Sequence, residues 1–316
     1  MRNHFLRAGH LGNTFIRDDL FIYYDLGNIS CWNRQNGTNA ADYTVYNLAN
    51  NHNNALFRCR SDIVSGIQAY QHDSGSDAII FDGSDGGGCV KFDPSEIDSN
   101  SDKFALMIPG SVASSAKTQP SYNLTTQELN TGDTNIIGSD TANQGIGTGA
   151  FTFEIWVKYY LNTTTYSAAT HLIFGKDTSS SSSNIGSFIW GGGWSAFNLS
   201  AYPGKQFRIN DALNFYPSGI TNSTTTAQWT NWNHLVISRA NGNTNGTTVY
   251  LNNESKGTTT ISSDLETAYH TSVAVGISST EIPQKIGVFR FYKGKALSST
   301  EVTQNWTAQK TRFGHT

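Results

Sequence analysis

The 316-residue sequence is poor in charged residues, and neither sign is in clear excess. It has 21 Lys and Arg against 24 Asp and Glu, a formal net charge of −3, and charged residues make up 14% of the chain. An average soluble protein has ~25%. Nucleic acids and anionic membranes are bound by concentrated positive charge. The composition therefore predicts no nucleic-acid partner and no membrane partner.

The sequence also lacks a long apolar run. Its longest, Phe104-Ala-Leu-Met-Ile108, is far shorter than the roughly 20 residues that a transmembrane helix needs. The first ten residues lack the apolar stretch of a secretion signal. We therefore expect a protein that spans no membrane, has no signal peptide and is made in the cytoplasm.

Cysteine is scarce too. Cys31, Cys59 and Cys89 cannot all pair within one chain, and no two of them have the spacing of a zinc-binding pair. A disulfide framework and a zinc knuckle are therefore disfavoured, and we expect three reduced cysteines.

Turn-forming residues and alternating apolar residues dominate what is present. The chain has 30 Gly and 2 Met, with abundant Asn, Ser and Thr, a mixture that favours strands joined by turns over long helices. In Phe151-Thr-Phe-Glu-Ile-Trp-Val-Lys158 the apolar residues alternate, which is the period of a β-strand. Further strands are predicted at 20–25, 77–82, 171–175, 187–190, 234–239, 247–251, 273–276 and 286–292.

Three segments depart from this strand pattern. Ser298-Ser-Thr-Glu301 has the spacing of a capping box, and Leu297 and Val302 flank it as a hydrophobic staple would, so one short C-terminal helix is predicted. Residues 1–14 are polar and without periodicity, and they are predicted to form an N-terminal arm. Residues 93–143 show the least pattern. They predict a long inserted loop region, either with some structure of its own or ordered by a neighbouring subunit.

Several of these segments resemble, in family order, laminin G-like domains of the concanavalin A-like lectin/glucanase superfamily. They are 21–25, 46–54, 80–85, Phe151–Lys158, Trp232–Arg239, Thr248–Asn253 and Ile286–Tyr292. Asn253 stands where the family usually has Gly, and Asn tolerates the left-handed conformation of such a turn. The resemblance implies an all-β fold, a concanavalin A-like antiparallel β-sandwich (jelly roll), as a single domain over 15–316 with the insertion at 93–143.

The C-terminal segment resembles a more specific group of these domains. Glu301-Val-Thr-Gln-Asn-Trp-Thr-Ala-Gln-Lys-Thr-Arg-Phe-Gly314 is similar to the ending of such domains in tailed bacteriophages, many of which are virion structural proteins. It implies a non-enzymatic virion protein, either a capsid decoration or another external particle component. The implied partners are the major capsid protein or other virion proteins, host surface glycans and sister subunits of a homotrimer. A receptor- or glycan-binding module of a tail fibre and a polysaccharide-degrading glycoside hydrolase are the alternatives.

The hydrolase alternative requires two carboxylates about 5–5.5 Å apart for a retaining mechanism. On one strand face, such a pair would be two or four residues apart. Glu96-Ile-Asp98 falls in the predicted insertion, and the neighbours of Glu154 at these spacings are Trp156 and Lys158. We therefore expect no enzymatic activity.

A carbohydrate site is predicted from aromatic residues near glycines. Trp190 and Trp194 flank three glycines, and Tyr202 and Tyr216 lie in neighbouring segments. Aromatic faces stack on sugar rings, and glycine lets a ligand approach closely. The alternative is that both tryptophans are core residues at strand ends.

Asp82 and Asp85 are the predicted candidates for a calcium site, because the family often holds Ca²⁺ at the sandwich rim and carboxylates on a sharp turn suit a hard cation. We favour the alternative, that Asp82 hydrogen-bonds its own turn and Asp85 is solvated. For His234, a hydrogen bond in the core is favoured over a role as a ligand. No cofactor is predicted with certainty.

Overall fold

Two antiparallel β-sheets make up most of the described structure. The computed structural model describes residues 14–32, 44–49, 55–59, 79–92, 104–108, 121–123, 128–130, 149–159, 171–176, 198–202, 206–209, 213–215, 231–260, 271–276 and 284–316. Within these residues the elements are β1 (Leu20–Asp25), β2 (Thr44–Val45), β3 (Ala55–Cys59), β4 (Ile79–Asp82), β5 (Cys89–Phe92), β6 (Phe104–Ile108), β7 (Ser121–Asn123), β8 (Glu128–Asn130), β9 (Phe151–Tyr159), β10 (His171–Lys176), β11 (Asn198–Tyr202), β12 (Gln206–Ile209), β13 (Leu213–Phe215), β14 (Asn233–Arg239), β15 (Thr247–Leu251), β16 (Glu254–Thr259), β17 (Thr271–Gly276), β18 (Gln284–Lys293) and the helix α1 (Ser299–Gln309). The predicted all-β sandwich with a short C-terminal helix is confirmed.

The first sheet is built around three adjacent, almost fully buried strands. Its order is β16-β15-β14-β9-β18-β5-β4, and β1 also pairs with β18. On one face, Phe151 and Phe153 of β9 contact Phe291 and Phe289 of β18 through their rings, as the alternation predicts. The opposite face of β9 is also buried, because α1 packs on it.

The second sheet has the order β13-β12-β11-β10-β17-β6-β3-β2. Strand β6 lies inside this sheet, hydrogen-bonded to β17 on one side and to β3 on the other. The predicted insertion at 93–143 therefore contributes a strand to the sandwich, and this part of it is not a loop. Strands β7 and β8, from the same region, form a separate two-stranded sheet.

Helix α1 begins with the predicted capping box. The Ser298 side chain accepts a hydrogen bond from the backbone N of Glu301, and the Glu301 carboxylate accepts one from the backbone N of Ser298. Leu297 and Val302 are both buried in one cluster with Val236, Tyr250 and Tyr292. The staple residues therefore fix the helix on the first sheet, as the sequence predicts.

Most predicted strands coincide with observed strands to within a few residues. Segments 20–25, 77–82, 171–175, 234–239, 247–251, 273–276 and 286–292 correspond to β1, β4, β10, β14, β15, β17 and β18. The predicted strand at 187–190 and residues 1–13 of the predicted arm lie outside the described residues. At the turn between β15 and β16, Asn252 and Asn253 have φ of 51° and 67°. Asn253 thus adopts the left-handed conformation for which the domains that this sequence resembles usually have Gly.

Two of the three cysteines are described with their side chains. Cys31 and Cys89 are buried free thiols, and burial raises the pKa of Cys89 to about 12. Cys59 lies in β3, where only the backbone is described. No helix in the described part of the chain is long and apolar enough to cross a membrane.

Candidate functional site

A glycine-rich turn at the edge of the first sheet forms one side of the candidate site. Residues 83–88 join β4 to β5, and Gly86, Gly87 and Gly88 have φ of 55°, 64° and 102°. A Cβ atom on Gly86 would lie 2.8 Å from the Trp232 ring, and one on Gly88 would lie 2.9 Å from the Cα of Gly27. The turn therefore requires glycine both for its backbone conformation and for its close packing.

Arg312 holds this turn from the C-terminal side. Its Nη1 and Nη2 donate to the two carboxylate oxygens of Asp25, each at 2.8 Å. Its Nε donates to the carbonyl of Gly86 at 2.6 Å, and Nη2 also donates to the carbonyl of Gly88 at 3.1 Å. A planar guanidinium can satisfy a carboxylate and two carbonyls together because its five N–H groups point in fixed directions.

Asp85 is held by three donors. Its Oδ1 accepts from Trp232 Nε1 at 2.8 Å, and its Oδ2 accepts from the ammonium groups of Lys158 and Lys285 at 2.7 and 2.8 Å. Burial tends to raise the pKa of Asp85, but these hydrogen bonds and the lysine charges outweigh it and lower the pKa to about 2. The side chain is therefore an ionised, paired carboxylate and is not simply solvated.

Asp82 holds the same turn. Its Oδ2 accepts from Lys285 at 2.7 Å, and its Oδ1 accepts from the backbone N of Ser84 at 2.9 Å. Asp82 therefore hydrogen-bonds its own turn, as the alternative to calcium binding predicted. The hydrogen bond from Lys285 is the main cause that lowers the pKa of Asp82. No group of three or more His, Cys, Asp and Glu side chains suited to a metal ion occurs among the described residues. Calcium at Asp82 and Asp85 stays a prediction, and a cation there would have to displace the lysine ammonium groups.

An open cleft of about 370 Å³ lies between this turn and the C-terminal residues. Its lining includes the residues Asp85, Lys158, Asn231, Trp232, Arg312 and His315. We call it the rim cleft. Concave sites with a few convergent polar groups are where small ligands usually bind.

Three side chains of the rim cleft have hydrogen-bonding groups that the described residues do not use. Lys158 donates to Asp85 alone, so two of its three N–H groups are left over, and the Asn231 side-chain amide has no partner in this part of the chain. His315 Nε2 lies 2.8 Å from the Trp232 carbonyl oxygen. Because a carbonyl only accepts, Nε2 carries the proton, and Nδ1 of the neutral ring is left as an acceptor.

The charge state of His315 follows from its surroundings. Burial lowers its pKa, and the nearby His234 and Lys310 lower it further, which together outweigh the hydrogen bond to Trp232. The ring is therefore neutral at pH 7, and its Nδ1 is available to accept a hydrogen bond.

Stacked aromatic rings form the wall behind the rim cleft. The ring of Trp156 lies 4.2 Å from that of Phe313 and 5.3 Å from that of Trp306, with interplanar angles of 16° and 10°. Trp306 in turn contacts the His315 ring at 4.7 Å. This wall comes from β9, α1 and the C-terminal residues, so the shape of the cleft depends on α1 being docked.

Beneath α1 lies a second polar group of residues, which is fully buried. Glu154 Oε1 accepts from Arg290 Nη1 at 2.5 Å and from His234 Nε2 at 2.8 Å, and its Oε2 accepts from Asn305 Nδ2 at 2.7 Å. The prediction that His234 is a hydrogen-bonding core residue is confirmed. All four side chains are inaccessible to solvent, so this cluster stabilises the fold and does not reach a ligand.

The predicted carbohydrate residues fall largely outside the described structure. Trp190, Trp194 and Tyr216 are not in the described ranges, and Tyr202 ends β11, where only the backbone is described. Their role stays a prediction. Of the predicted calcium residues, Asp85 lines the rim cleft, and Asp82 shares the Lys285 ammonium group with Asp85.

Sequence reasoning missed Asn231, Arg312 and His315 as cleft residues. They come from two chain segments about 80 residues apart that meet only after α1 folds back on the sheet. The one signal in the sequence was their position next to segments that carried the family resemblance: Asn231 precedes the strand Trp232–Arg239, Arg312 lies within the ending Glu301–Gly314, and His315 directly follows that ending.

The chain matches no protein-family model and no curated protein sequence. Among solved structures it is similar to the binding domain of Paraclostridial Mosquitocidal Protein 1, with a TM-score of 0.51 and 10% identity over 95% of this chain and 56% of that one. It is also similar to the binding domain of botulinum neurotoxin DC in complex with rat synaptotagmin II, with a TM-score of 0.50, 10% identity, and coverage of 93% and 52%. The chain thus spans about half the length of these structures, and at this identity the likeness shows the fold alone.

Proposed function

We propose that this protein is a non-catalytic carbohydrate-binding module and that the rim cleft holds the sugar. The observation that carries the proposal is the free hydrogen-bonding capacity of Lys158, Asn231 and His315 in an open cleft of about 370 Å³. A sugar hydroxyl both donates and accepts. A donor, an amide that does both, and an imidazole acceptor match neighbouring hydroxyl groups on one ring.

The fold supports a binding role. The two solved structures named above are binding domains, and one of them is in complex with another protein, rat synaptotagmin II. The resemblance of the sequence to lectin-like domains points to sugars as the ligand. Fold alone does not establish function, so the proposal is carried by the cleft and its side chains.

The absence of catalysis is part of the proposal. The acidic residues next to the rim cleft, Asp82 and Asp85, both accept hydrogen bonds from lysine ammonium groups, and Glu154 is buried beneath α1. A general acid in glycoside hydrolysis needs a raised pKa, whereas the pKa of Asp85 is lowered to about 2. A polysaccharide-degradation assay tests this point, and release of reducing ends above the blank would contradict it.

Glycan binding is tested on a glycan array, followed by titration calorimetry with the best ligand. Asn231→Ala and His315→Ala should each weaken binding about fivefold or more, because each removes a hydrogen bond worth about 1 kcal/mol. Asn243→Ala is the matched control, since Asn243 is an exposed Asn in the turn at the other end of β14. Trp194→Ala tests the other carbohydrate site, predicted at Trp190 and Trp194, because it removes an aromatic ring of that site and no residue of the rim cleft. An array without hits would refute the proposal.

We further propose that the module is an external component of a tailed-bacteriophage particle, either a capsid decoration or part of a tail fibre. The similarity of Glu301–Gly314 to phage-encoded endings supports this setting. The partners would be the major capsid protein or other virion proteins, with a homotrimer as the expected assembly. Mass spectrometry of purified particles tests the location. Deletion of residues 1–14 should abolish incorporation and leave the fold intact, and normal incorporation would refute a role for the arm.

A further inference from the structure

We infer that the rim cleft selects an uncharged sugar over its carboxylated or sulfated counterpart. The inference rests on the proposed function and narrows its ligand class. It follows from how the ionic groups in and behind the cleft are already paired with one another.

Among the described residues that line the rim cleft, each ionised side chain has a partner of opposite sign at hydrogen-bond distance. Arg312 is paired with Asp25 through two hydrogen bonds of 2.8 Å. Lys158 is 2.7 Å from Asp85, and Lys285 bridges Asp85 and Asp82 at 2.8 and 2.7 Å. Three cations face three carboxylates, and the formal charge of the group is zero.

An anionic ligand meets no unpaired cation among the described lining residues, because Lys158 and Arg312 are both paired. A ligand carboxylate that approaches the Lys158 ammonium group also approaches Asp85, whose Oδ2 is 2.7 Å from the same nitrogen. The attraction to one is offset by the repulsion from the other, and the ligand still loses hydration when it enters the cleft. The guanidinium of Arg312 is unsuitable for the same reason, since Asp25 already occupies its paired N–H groups.

A neutral hydroxyl group avoids this competition. It can donate to His315 Nδ1, accept from the remaining N–H groups of Lys158, and exchange both kinds of hydrogen bond with the Asn231 amide, while every ion pair stays intact. Hydroxyl groups gain these hydrogen bonds without the desolvation cost of a full charge.

The test uses the full chain and matched probes that differ only in charge. Methyl β-glucoside is compared with methyl β-glucuronide, and methyl β-galactoside with methyl β-galacturonide, by NMR titration at pH 7. We expect each neutral glycoside to bind about tenfold or more tightly than its acidic counterpart, which is about 1.4 kcal/mol. Equal or tighter binding of the acidic glycosides would overturn the inference and leave the proposed function standing.

A charge variant shows whether the rim cleft sets this preference. Asn231→Lys adds one unpaired cation at an exposed position of the cleft, and Asn231→Gln changes the same side chain without charge. Asn231→Lys should raise the ratio of acidic to neutral binding about threefold, the scale of a partly exposed ion pair, and Asn231→Gln should leave the ratio unchanged. An unchanged ratio in Asn231→Lys, with the fold verified by circular dichroism, would overturn the inference. Failure of both the neutral and the acidic glycosides, together with an empty glycan array, would refute the proposed function and this inference with it.

Discussion

Glu154 is the most constrained ionic residue of the described structure. It is fully buried on β9, and all of its described partners are hydrogen-bond donors from other elements: Arg290, His234 and Asn305. Burial tends to raise its pKa, but the Arg290 charge and these hydrogen bonds outweigh that effect and lower the pKa to about 2. The Arg290 guanidinium also lies 4.2 Å from the Phe15 ring centre. The Glu154 carboxylate therefore connects β9 with its two neighbouring strands, β14 and β18, and with α1, and through Arg290 it also connects to the N-terminal segment.

Glu154→Gln should destabilise the protein by about 3–5 kcal/mol, because it leaves the buried Arg290 cation without its counter-charge. The measurement is urea unfolding at pH 7. Glu254→Gln is the matched control, because the Glu254 side chain is 55% exposed and forms a surface ion pair with Lys256. A Glu154→Gln protein with the midpoint and slope of the wild type would show that the cluster contributes no net stability.

The proposed sugar binding should depend on pH through His315. Its Nδ1 accepts a hydrogen bond only in the neutral ring, so a proton and the ligand compete for that atom. Because the folded pKa is lowered from the ordinary 6.5, affinity should stay level down to about that pH and fall as the pH drops further. The titratable groups that shift its pKa are His234 and Lys310, and the carboxylate that lines the same cleft, Asp85, has a pKa of about 2 and stays ionised over this range.

This pH dependence is measured by titrating a bound glycan against the protein between pH 7.5 and pH 4.5. In His315→Gln the amide does not titrate and can still offer an oxygen acceptor, so its affinity should be nearly flat over the same range. Parallel pH curves for the wild type and His315→Gln would show that another group is responsible.

At the scale of elements, α1 determines whether the rim cleft exists. It covers Glu154, supplies Trp306 to the aromatic wall and leads into the cleft residues Arg312 and His315. An isolated helix of 11 residues is marginal in water, so its stability comes from its cap and its packing on the sheet.

Ser298→Ala should therefore cost about 1 kcal/mol of unfolding free energy, within the usual range for loss of an N-cap. The Ser298 hydroxyl accepts from the Glu301 backbone N at 3.3 Å, and the Glu301 carboxylate accepts from the Ser298 backbone N at 2.8 Å. Ser299→Ala, one residue along and exposed, is the control and should change stability little. Thermal unfolding of the two variants side by side gives the comparison, and equal values would contradict a role for the cap.

Elements with a local pattern could be predicted from the sequence. The alternation of 151–158 gave β9, and the spacing of Ser298 and Glu301 gave the start of α1. The left-handed turn at Asn253 could be expected because Asn tolerates that conformation. These features depend on neighbours a few residues away, so the chain carries their signal directly.

Contacts between distant segments could not be predicted in the same way. Glu154 was expected on the face of β9 opposite to Phe153, but nothing local indicated that α1 would bury it against Arg290 and Asn305. Strand β6 fell within the region expected to be a loop, because its five residues carry no alternation and its partners β3 and β17 are remote in sequence. The rim cleft likewise needs residues 85, 158, 231 and 315 together.

At the scale of the whole molecule, Arg312 connects the two ends of the described chain. It binds Asp25 at the end of β1, which is 287 positions away, and the carbonyls of Gly86 and Gly88. Arg312→Met should lower the free energy of unfolding by about 2–3 kcal/mol, because Asp25 and two carbonyls lose their donors. Arg312→Lys should recover only part of this loss, since an ammonium group cannot donate to the Asp25 carboxylate and the two carbonyls in the fixed directions of the guanidinium N–H groups.

Urea unfolding of both Arg312 variants checks this expectation. Lys310→Met, two residues earlier, is the control for loss of a positive charge in the same segment. A loss in Lys310→Met as large as that in Arg312→Met would show that net charge matters and that the specific hydrogen bonds do not.

The similarity of Glu301–Gly314 to phage-encoded endings has a structural explanation at the scale of the whole molecule. Glu301 caps α1, Asn305 binds Glu154, Trp306 stacks on Trp156, and Phe313 is buried against Trp232. The matching residues of Glu301–Gly314 thus serve to dock the helix on the sheet. The pattern of Glu301–Gly314 is therefore explained by the packing of α1 on the sandwich. The proposed location in a phage particle needs its own test on purified particles.

The response of the whole fold to acid follows from its paired carboxylates. Glu154 and Asp85 have folded pKa values of about 2, and the pKa of Asp82 is lowered too, whereas free carboxyl groups titrate near pH 4. A lowered folded pKa means that the unfolded chain takes up protons first as the pH falls. Stability from these groups is therefore complete above about pH 5 and is lost as the pH falls through 4 towards 2.

Urea unfolding measured between pH 7 and pH 2 should show this loss, with about 3 kcal/mol of it due to the fully buried Glu154. Wild type and Glu154→Gln should differ most above pH 5 and converge near pH 2, because protonation then neutralises Glu154 in the wild type as well. Glu254→Gln should run parallel to the wild type throughout, since its carboxylate is exposed. A constant gap between wild type and Glu154→Gln down to pH 2 would mean that the cost of the substitution comes from packing, and that the buried carboxylate does not stabilise the sandwich through its charge.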